Sequence, residues 1–209
     1  MARKNACFIS FRHGDYELTR AFVEQLYRGL CSEVEAQLGR GVDVFLDTKR
    51  LTGGYLFDEA LAQELCMSSS MVMVYTPSYF DEAHTYCARE YSAMLQLEMK
   101  RLAMLDPAAQ QHGLIVPVIF RGLKHLPAEI RDRRQYYDFQ SFLLSGREMS
   151  HHPKFASVLQ EIGEYIADRH RVISGLDDPR CDAYRLPDVD TAWLRSVIPQ
   201  AELLPGRGA

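Results

Sequence analysis

The sequence predicts an α/β fold, a five-stranded parallel sheet with helices on both faces, and three observations lead there. Short all-apolar runs recur along the chain without polar alternation, as strands buried on both faces require. Between them lie longer segments in which apolar residues return every three or four positions, the spacing of a helix with one buried side. The chain's 209 residues, 47% apolar and 25% charged, have ordinary globular values and fit one domain with a tail.

Cys7–Phe11 is the first apolar run and stops at Arg12-His13-Gly14. Asp15 is expected to cap a helix with Glu17 in its first turn, in which Leu18, Phe22, Leu26, Leu30, Val34 and Leu38 form one stripe. Gly39-Arg40-Gly41 ends it. Val42–Leu46 is the second strand, followed by a long loop, Asp47–Tyr55, centred on Thr52-Gly53-Gly54. Phe57, Leu61 and Leu65 space the next helix, and Met71–Tyr75 is the third strand, broken by Thr76-Pro77-Ser78. Helical spacing resumes from about Ser78 and carries through Cys87, Tyr91, Met94, Leu95 and Leu102 to a stop before Pro107. Leu114–Phe120 is the fourth strand, Tyr136–Phe139 a weaker fifth, and Phe155, Val158, Leu159, Ile162 and Ile166 describe the last helix. This alternation indicates a doubly wound, flavodoxin-like sheet, whose ligands bind at the carboxyl ends of the strands. Those ends are Phe11–Asp15, Asp47–Tyr55, Thr76–Asp81 and Arg121–Lys124.

The domain is expected over residues 1–172, and residues 173–209 form a tail or docking segment rich in proline and aspartate. One island interrupts it. Residues 190–198, with Trp193, Leu194, Val197 and Ile198, fit a short helix seated on the domain or on a partner.

Several function classes drop out on composition and motif. A net charge of −4 with scattered basic residues offers no footprint for nucleic acid. The longest apolar runs, Met71–Tyr75 and Leu114–Phe120, fall far short of the ~20 residues of a membrane span. The start, Met1-Ala2-Arg3-Lys4-Asn5, runs into an apolar stretch too short for a signal-peptide core, so a cytoplasmic protein is expected. Five cysteines, Cys7, Cys31, Cys66, Cys87 and Cys181, form no Cys-x-x-Cys pair, which argues for buried thiols against a disulfide framework or zinc site. His151-His152 lacks the spacing of a metal motif, and no metal is expected. Gly-x-Gly-x-x-Gly, the phosphate-binding Gly-x-x-x-x-Gly-Lys-Ser/Thr and Gly-x-Ser-x-Gly are absent. Tyr75-Thr76-Pro77 stands where a phospho-accepting receiver would carry an acid.

The strand-end residues that remain carry a resemblance. Phe8-Ile9-Ser10-Phe11-Arg12, Val44-Phe45-Leu46-Asp47 with the Leu51-Thr52-Gly53-Gly54 loop, Tyr86-Cys87-Ala88-Arg89-Glu90, and Ile115-Val116-Pro117-Val118-Ile119 resemble, in order and spacing, the successive boxes of a TIR domain over roughly residues 5–170. The resemblance implies a five-stranded sheet whose second-strand loop controls self-association. In its bacterial NAD-cleaving members, often antiphage proteins, it also implies an enzyme whose catalytic glutamate is here Glu90. It further implies substrate contacts at Phe11, Arg12 and Tyr86 and, in the loop, at Asp47, Gly54 and Leu56, although Gly53-Gly54-Tyr55-Leu56 is one residue longer than the family pattern. NAD enters as substrate, with no separate cofactor, and the implied partners are further TIR domains and a co-encoded effector or sensor protein.

The chemistry stands without the family. Nicotinamide leaves NAD as a neutral base, so no general acid is needed, and one ionised carboxylate can stabilise the positive charge growing on the ribose. Phe11 and Tyr86 can stack on a flat ring, and Arg12 can pair with pyrophosphate. The plainer alternatives stay open: Glu90 as a helix-surface carboxylate, Tyr86 as packing, Arg12 paired with Asp15 or Asp47, and Cys87 as a small buried residue. The rival functions are a non-catalytic TIR–TIR scaffold and a nucleoside deoxyribosyltransferase-like enzyme.

Overall fold

The structure, a computed structural model, describes residues 4–14, 16–46, 57–145, 149, 152–176, 181–190 and 192–194. Five parallel strands, β1 (Asn5–Phe11), β2 (Asp43–Phe45), β3 (Ser68–Tyr75), β4 (Ile115–Ile119) and β5 (Tyr137–Asp138), pair in the order β2-β1-β3-β4-β5. The order reverses between β1 and β3, which opens a crevice at their carboxyl ends. Four main helices cover the sheet: α1 (Glu17–Leu38), α2 (Phe57–Cys66), α3 (Tyr86–Leu102) and α4 (Pro153–Ile173).

The alternation of β1 decides what each face carries. Cys7, Ile9 and Phe11 join the core under α1 and α4, with Phe22, Leu26 and Ile162. Phe8 joins the core under α2 and α3, with Leu61, Met73 and Tyr91. Ser10, two residues beyond Phe8, therefore points toward α3. On the opposite face, Gly29 and Gly163 let α1 and α4 approach closely, since a Cβ at either would strike Leu159 or Glu33.

Several boundaries differ from the sequence reading. β3 starts at Ser68 rather than Met71, because its three serines are buried with their hydroxyls bonded. Ser68 donates to Glu64 O at 2.8 Å, Ser70 donates to Ala6 O at 2.9 Å, and Ser69 Oγ lies 2.8 Å from His170 Nδ1. α3 starts at Tyr86 rather than near Ser78. Asp81 accepts the Ala83 N–H and bonds His84 through its carboxylate, holding a turn where the periodicity suggested helix. β2 and β5 are shorter than the apolar runs that predict them, as sheet edges often are. Asp15, expected to cap α1, lies outside the described residues, and Tyr16 occupies the N-cap position.

The expectation of unpaired thiols is corrected at two positions. Cys66, ending α2, is disulfide-bonded to Cys181 across 115 residues of sequence, a separation that carries no local signal, whereas Cys7, Cys31 and Cys87 are not disulfide-bonded. The described residues from Cys181 onward run across α2 and α3. Tyr184 donates to Ala93 O, Arg185 pairs with Glu59, and Leu186 and Leu194 are buried. Trp193 packs near Phe80 and Tyr91, and the helical residues of the 190–198 island that are described are 192–194. Among the described residues, no helix is long and apolar enough to cross a membrane.

Candidate active site

Glu90 lies in the second turn of α3, near the helix end whose backbone dipoles favour a carboxylate. Only 5% of it is exposed. Ser10, on β1, reaches it across the sheet face and donates its Oγ hydrogen to Glu90 Oε2 at 2.5 Å. Tyr79, fully buried in the turn after β3, places its hydroxyl 2.6 Å from the same Ser10 Oγ. A serine has one hydroxyl hydrogen; when an ionised Glu90 accepts it, Tyr79 is the donor in the second bond. Burial pushes the Tyr79 phenol well above its usual range, with Cys87 and then Glu90 adding to the shift.

The substrate contacts expected from sequence scatter around this carboxylate. Phe11 is on the other face of the sheet, 6% exposed and stacked on His13 with ring centres 4.3 Å apart. Arg12 projects at the end of β1, where its guanidinium donates to His13 O and stands 3.7 Å from Asp81. Its buried Nε has no hydrogen-bond partner among the described residues. The Asp81 carboxyl sits below its ordinary range, chiefly because it accepts the Ala83 N–H, with His84 and Arg12 adding.

Tyr86 opens α3 and turns outward to α2. Its hydroxyl donates to Asp58 at 2.8 Å, and the Arg89 guanidinium lies 5.5 Å from its ring centre while pairing with Asp58 at 3.1 Å. Asp58 is lowered chiefly by the Tyr86 hydrogen bond, and Tyr86 is raised chiefly by the same bond. Arg89 also donates to Pro187 O, tying this cluster to the tail. Asp47, Gly54 and Leu56 fall outside the described residues.

A cleft of about 780 Å³ opens beside Arg12 at the rim of the sheet, between the start of α1 and the ends of β3 and β4, with His13, Tyr16, Pro77, Asp81 and Arg121 on its walls. Arg12 is the expected contact that borders it, while Glu90 sits behind Ser10 on the α3 side of β1. Two arginines give this cleft groups suited to phosphate. Among the described residues, no group of three or more His, Cys, Asp or Glu side chains is arranged to hold a metal ion.

The α3 helix carries a second buried carboxylate, Glu98, whose partners differ in kind. It accepts both arms of Arg134, at 2.6 and 3.0 Å, and the backbone N–H groups of Leu114 and Ile115 at 2.5 and 3.2 Å. Glu98 therefore clamps α3 to the start of β4, and its chemistry is structural.

A TIR domain family profile matches residues 7–150. The chain belongs to the TIR domain family. The match begins in β1 and runs past β5, so it contains every described strand end of this TIR domain. Among solved structures it is similar to the TIR domains of the activated Roq1 resistosome that directly recognizes the pathogen effector XopQ. The two share 19% identity with a TM-score of 0.41, over 80% of this chain and 84% of that one. No curated protein sequence matches the chain significantly.

The sequence pattern singles out neither Tyr79 nor the Asp58–Arg89 pair, and it gives Ser10 no role beyond its place in the first strand's box. The available signal was a lone hydroxyl at a fully buried position of an otherwise apolar sheet face, which costs stability unless it is bonded.

Proposed function

We propose that this TIR domain cleaves the nicotinamide–ribose bond of NAD, with Glu90 as the catalytic carboxylate. The observation that carries the reading is the placement of Glu90, which is buried beneath the carboxyl end of β1 and accepts a hydrogen bond from Ser10. Membership of the TIR family supports it.

In this reaction the bond between ribose C1′ and the pyridinium nitrogen breaks, and its electron pair neutralises the departing ring. The ribose becomes cationic as the bond lengthens. A preoriented carboxylate stabilises that charge more than it stabilises neutral ground-state ribose, which is what lowers the barrier. Water then captures the sugar to give ADP-ribose, or an adenine nitrogen of the same molecule captures it to give a cyclic ADP-ribose isomer. Arg12 and Arg121 supply cationic groups for the pyrophosphate, with the cleft beside them large enough for part of a dinucleotide.

The wider reading is a bacterial, cytoplasmic defence enzyme that assembles through TIR–TIR contacts and signals infection to a co-encoded effector or sensor. The test is nicotinamide release from NAD by the concentrated, purified protein. Glu90→Gln keeps an oxygen for the Ser10 hydrogen bond and removes the charge. It should lower release about 10²–10³-fold while leaving the melting temperature nearly unchanged. Equal rates for the variant and the natural protein would remove Glu90 from the mechanism.

A further inference from the structure

We propose that Ser10 and Tyr79 are positioning residues for Glu90, forming a donor chain from the Tyr79 hydroxyl through Ser10 to the carboxylate that orients it and keeps it ionised. The inference rests on the NAD reading above for its catalytic consequence, but the chain itself can be measured without turnover.

With Glu90 ionised, as the NAD reading requires, proton count gives the direction of the chain. Glu90 Oε2 receives the single hydrogen of Ser10 Oγ, so Ser10 receives the Tyr79 hydrogen in turn. Both hydroxyls are sealed from water, Ser10 at 1% and Tyr79 at 0% exposure. Neither is needed to fill space. Ser10 stands opposite Met73 in the ladder, where alanine would pack without a hydroxyl to satisfy, and the Tyr79 ring is held against Phe80 with centres 4.9 Å apart. Hydrogen bonds donated to a charged carboxylate favour its ionised form and are stronger than neutral ones. A donor that is itself receiving a hydrogen bond is polarised further.

The other titratable and charged groups on the elements around Glu90 include Arg12 at the end of β1, Tyr75 at the end of β3, Asp81, Glu82 and His84 in the β3–α3 connection, Asp58 and Glu59 on α2, Cys87, Arg89, Tyr91 and Glu98 on α3, and Asp188 in the tail. Asp58 and Arg89 pair with each other, and Arg12 stands near Asp81. Ser10 delivers its donor to Glu90 from β1.

The experiment uses the full chain and three variants, Ser10→Ala, Ser10→Thr and Tyr79→Phe, with two readouts: the pH profile of nicotinamide release and the midpoint of the Glu90 side-chain carboxyl followed by carbon NMR. Ser10→Ala should raise the carboxyl midpoint and the acid limb by about one to two pH units. It should also lower kcat about tenfold or more, with KM changed less. Tyr79→Phe should shift both midpoints the same way by a smaller amount, and Ser10→Thr should restore them. If Ser10→Ala does not fold, Tyr79→Phe carries the test, because it keeps the ring. Midpoints in both Ser10→Ala and Tyr79→Phe that match the natural protein overturn the proposal, even if activity falls, since a purely structural loss lowers the amount of active protein without moving them. A shifted carboxyl midpoint in a protein that never releases nicotinamide upholds the donor chain and refutes the NAD reading instead.

Discussion

Replacing Glu98 by alanine should cost far more stability than replacing Glu90 by glutamine, although both carboxylates are buried on one helix. Glu98 and Arg134 have side chains only 9% and 13% exposed, so water does little to screen them. Four donors end on the Glu98 carboxylate: two guanidinium nitrogens and the N–H groups of Leu114 and Ile115. Truncation leaves a buried guanidinium without its counter-ion and the Leu114 N–H without its acceptor. Breaking such a buried pair costs about 3–5 kcal/mol. At about 2–4 °C per kcal/mol for a chain of this size, the melting temperature should fall by about 6–20 °C. Urea unfolding of the natural protein, Glu98→Ala, Arg134→Met and the double variant Glu98→Leu/Arg134→Met tests this. The double variant should recover much of the loss, because it removes both charges together. A single-variant cost below about 1 kcal/mol, the range of an exposed pair, would refute the reasoning.

Four further predictions concern the flank of α3 and the chain after α4. The Asp58 carboxyl is depressed, chiefly by the Tyr86 hydroxyl; a group lowered in the folded state adds stability that is present above its unfolded value of about 3.9 and is lost as pH falls through its folded value. The Tyr86–Asp58–Arg89 link should therefore loosen only below about pH 4, read as a shift in the Tyr86 ring resonances; a midpoint near neutrality would contradict it. Tyr86 itself is raised chiefly by Asp58, so in Asp58→Asn its phenol should ionise at lower pH in an ultraviolet titration. Tyr86→Phe should leave nicotinamide release within about threefold, since that hydroxyl is bonded to α2 and its loss matches one surface hydrogen bond. Cys181→Ser should lower stability by about 2–4 kcal/mol and expose the chain after α4 to protease, with no change after limited digestion counting against a tail held by that bond.

How much of this was legible depended on whether a residue's partners lay near it in sequence. The sheet could be read because parallel strands covered on both faces announce themselves as apolar runs, and Met71–Tyr75 and Leu114–Phe120 are such runs. The start of β3 could not, since Ser68, Ser69 and Ser70 are buried through bonds to Glu64, His170 and Ala6, contacts formed only after folding. Cys66 and Cys181 were hidden by the same distance.

The two glutamates of α3 make the point most sharply. Glu90 and Glu98 sit eight residues apart on one helix, and both are buried; on periodicity alone they are equivalent. What separates them is the end of the sheet each one meets. Glu98 meets the amino end of β4, where the Leu114 and Ile115 N–H groups and Arg134 converge, so its charge is spent in holding the fold. Glu90 meets the carboxyl end of β1, where the crevice of a doubly wound sheet opens and where a serine reaches it from the strand. Exchanging their environments would require reversing the helix against the sheet. The direction of α3, set by the parallel connection from β3 to β4, is therefore what brings one carboxylate to the amino end of β4 and the other beneath the carboxyl end of β1.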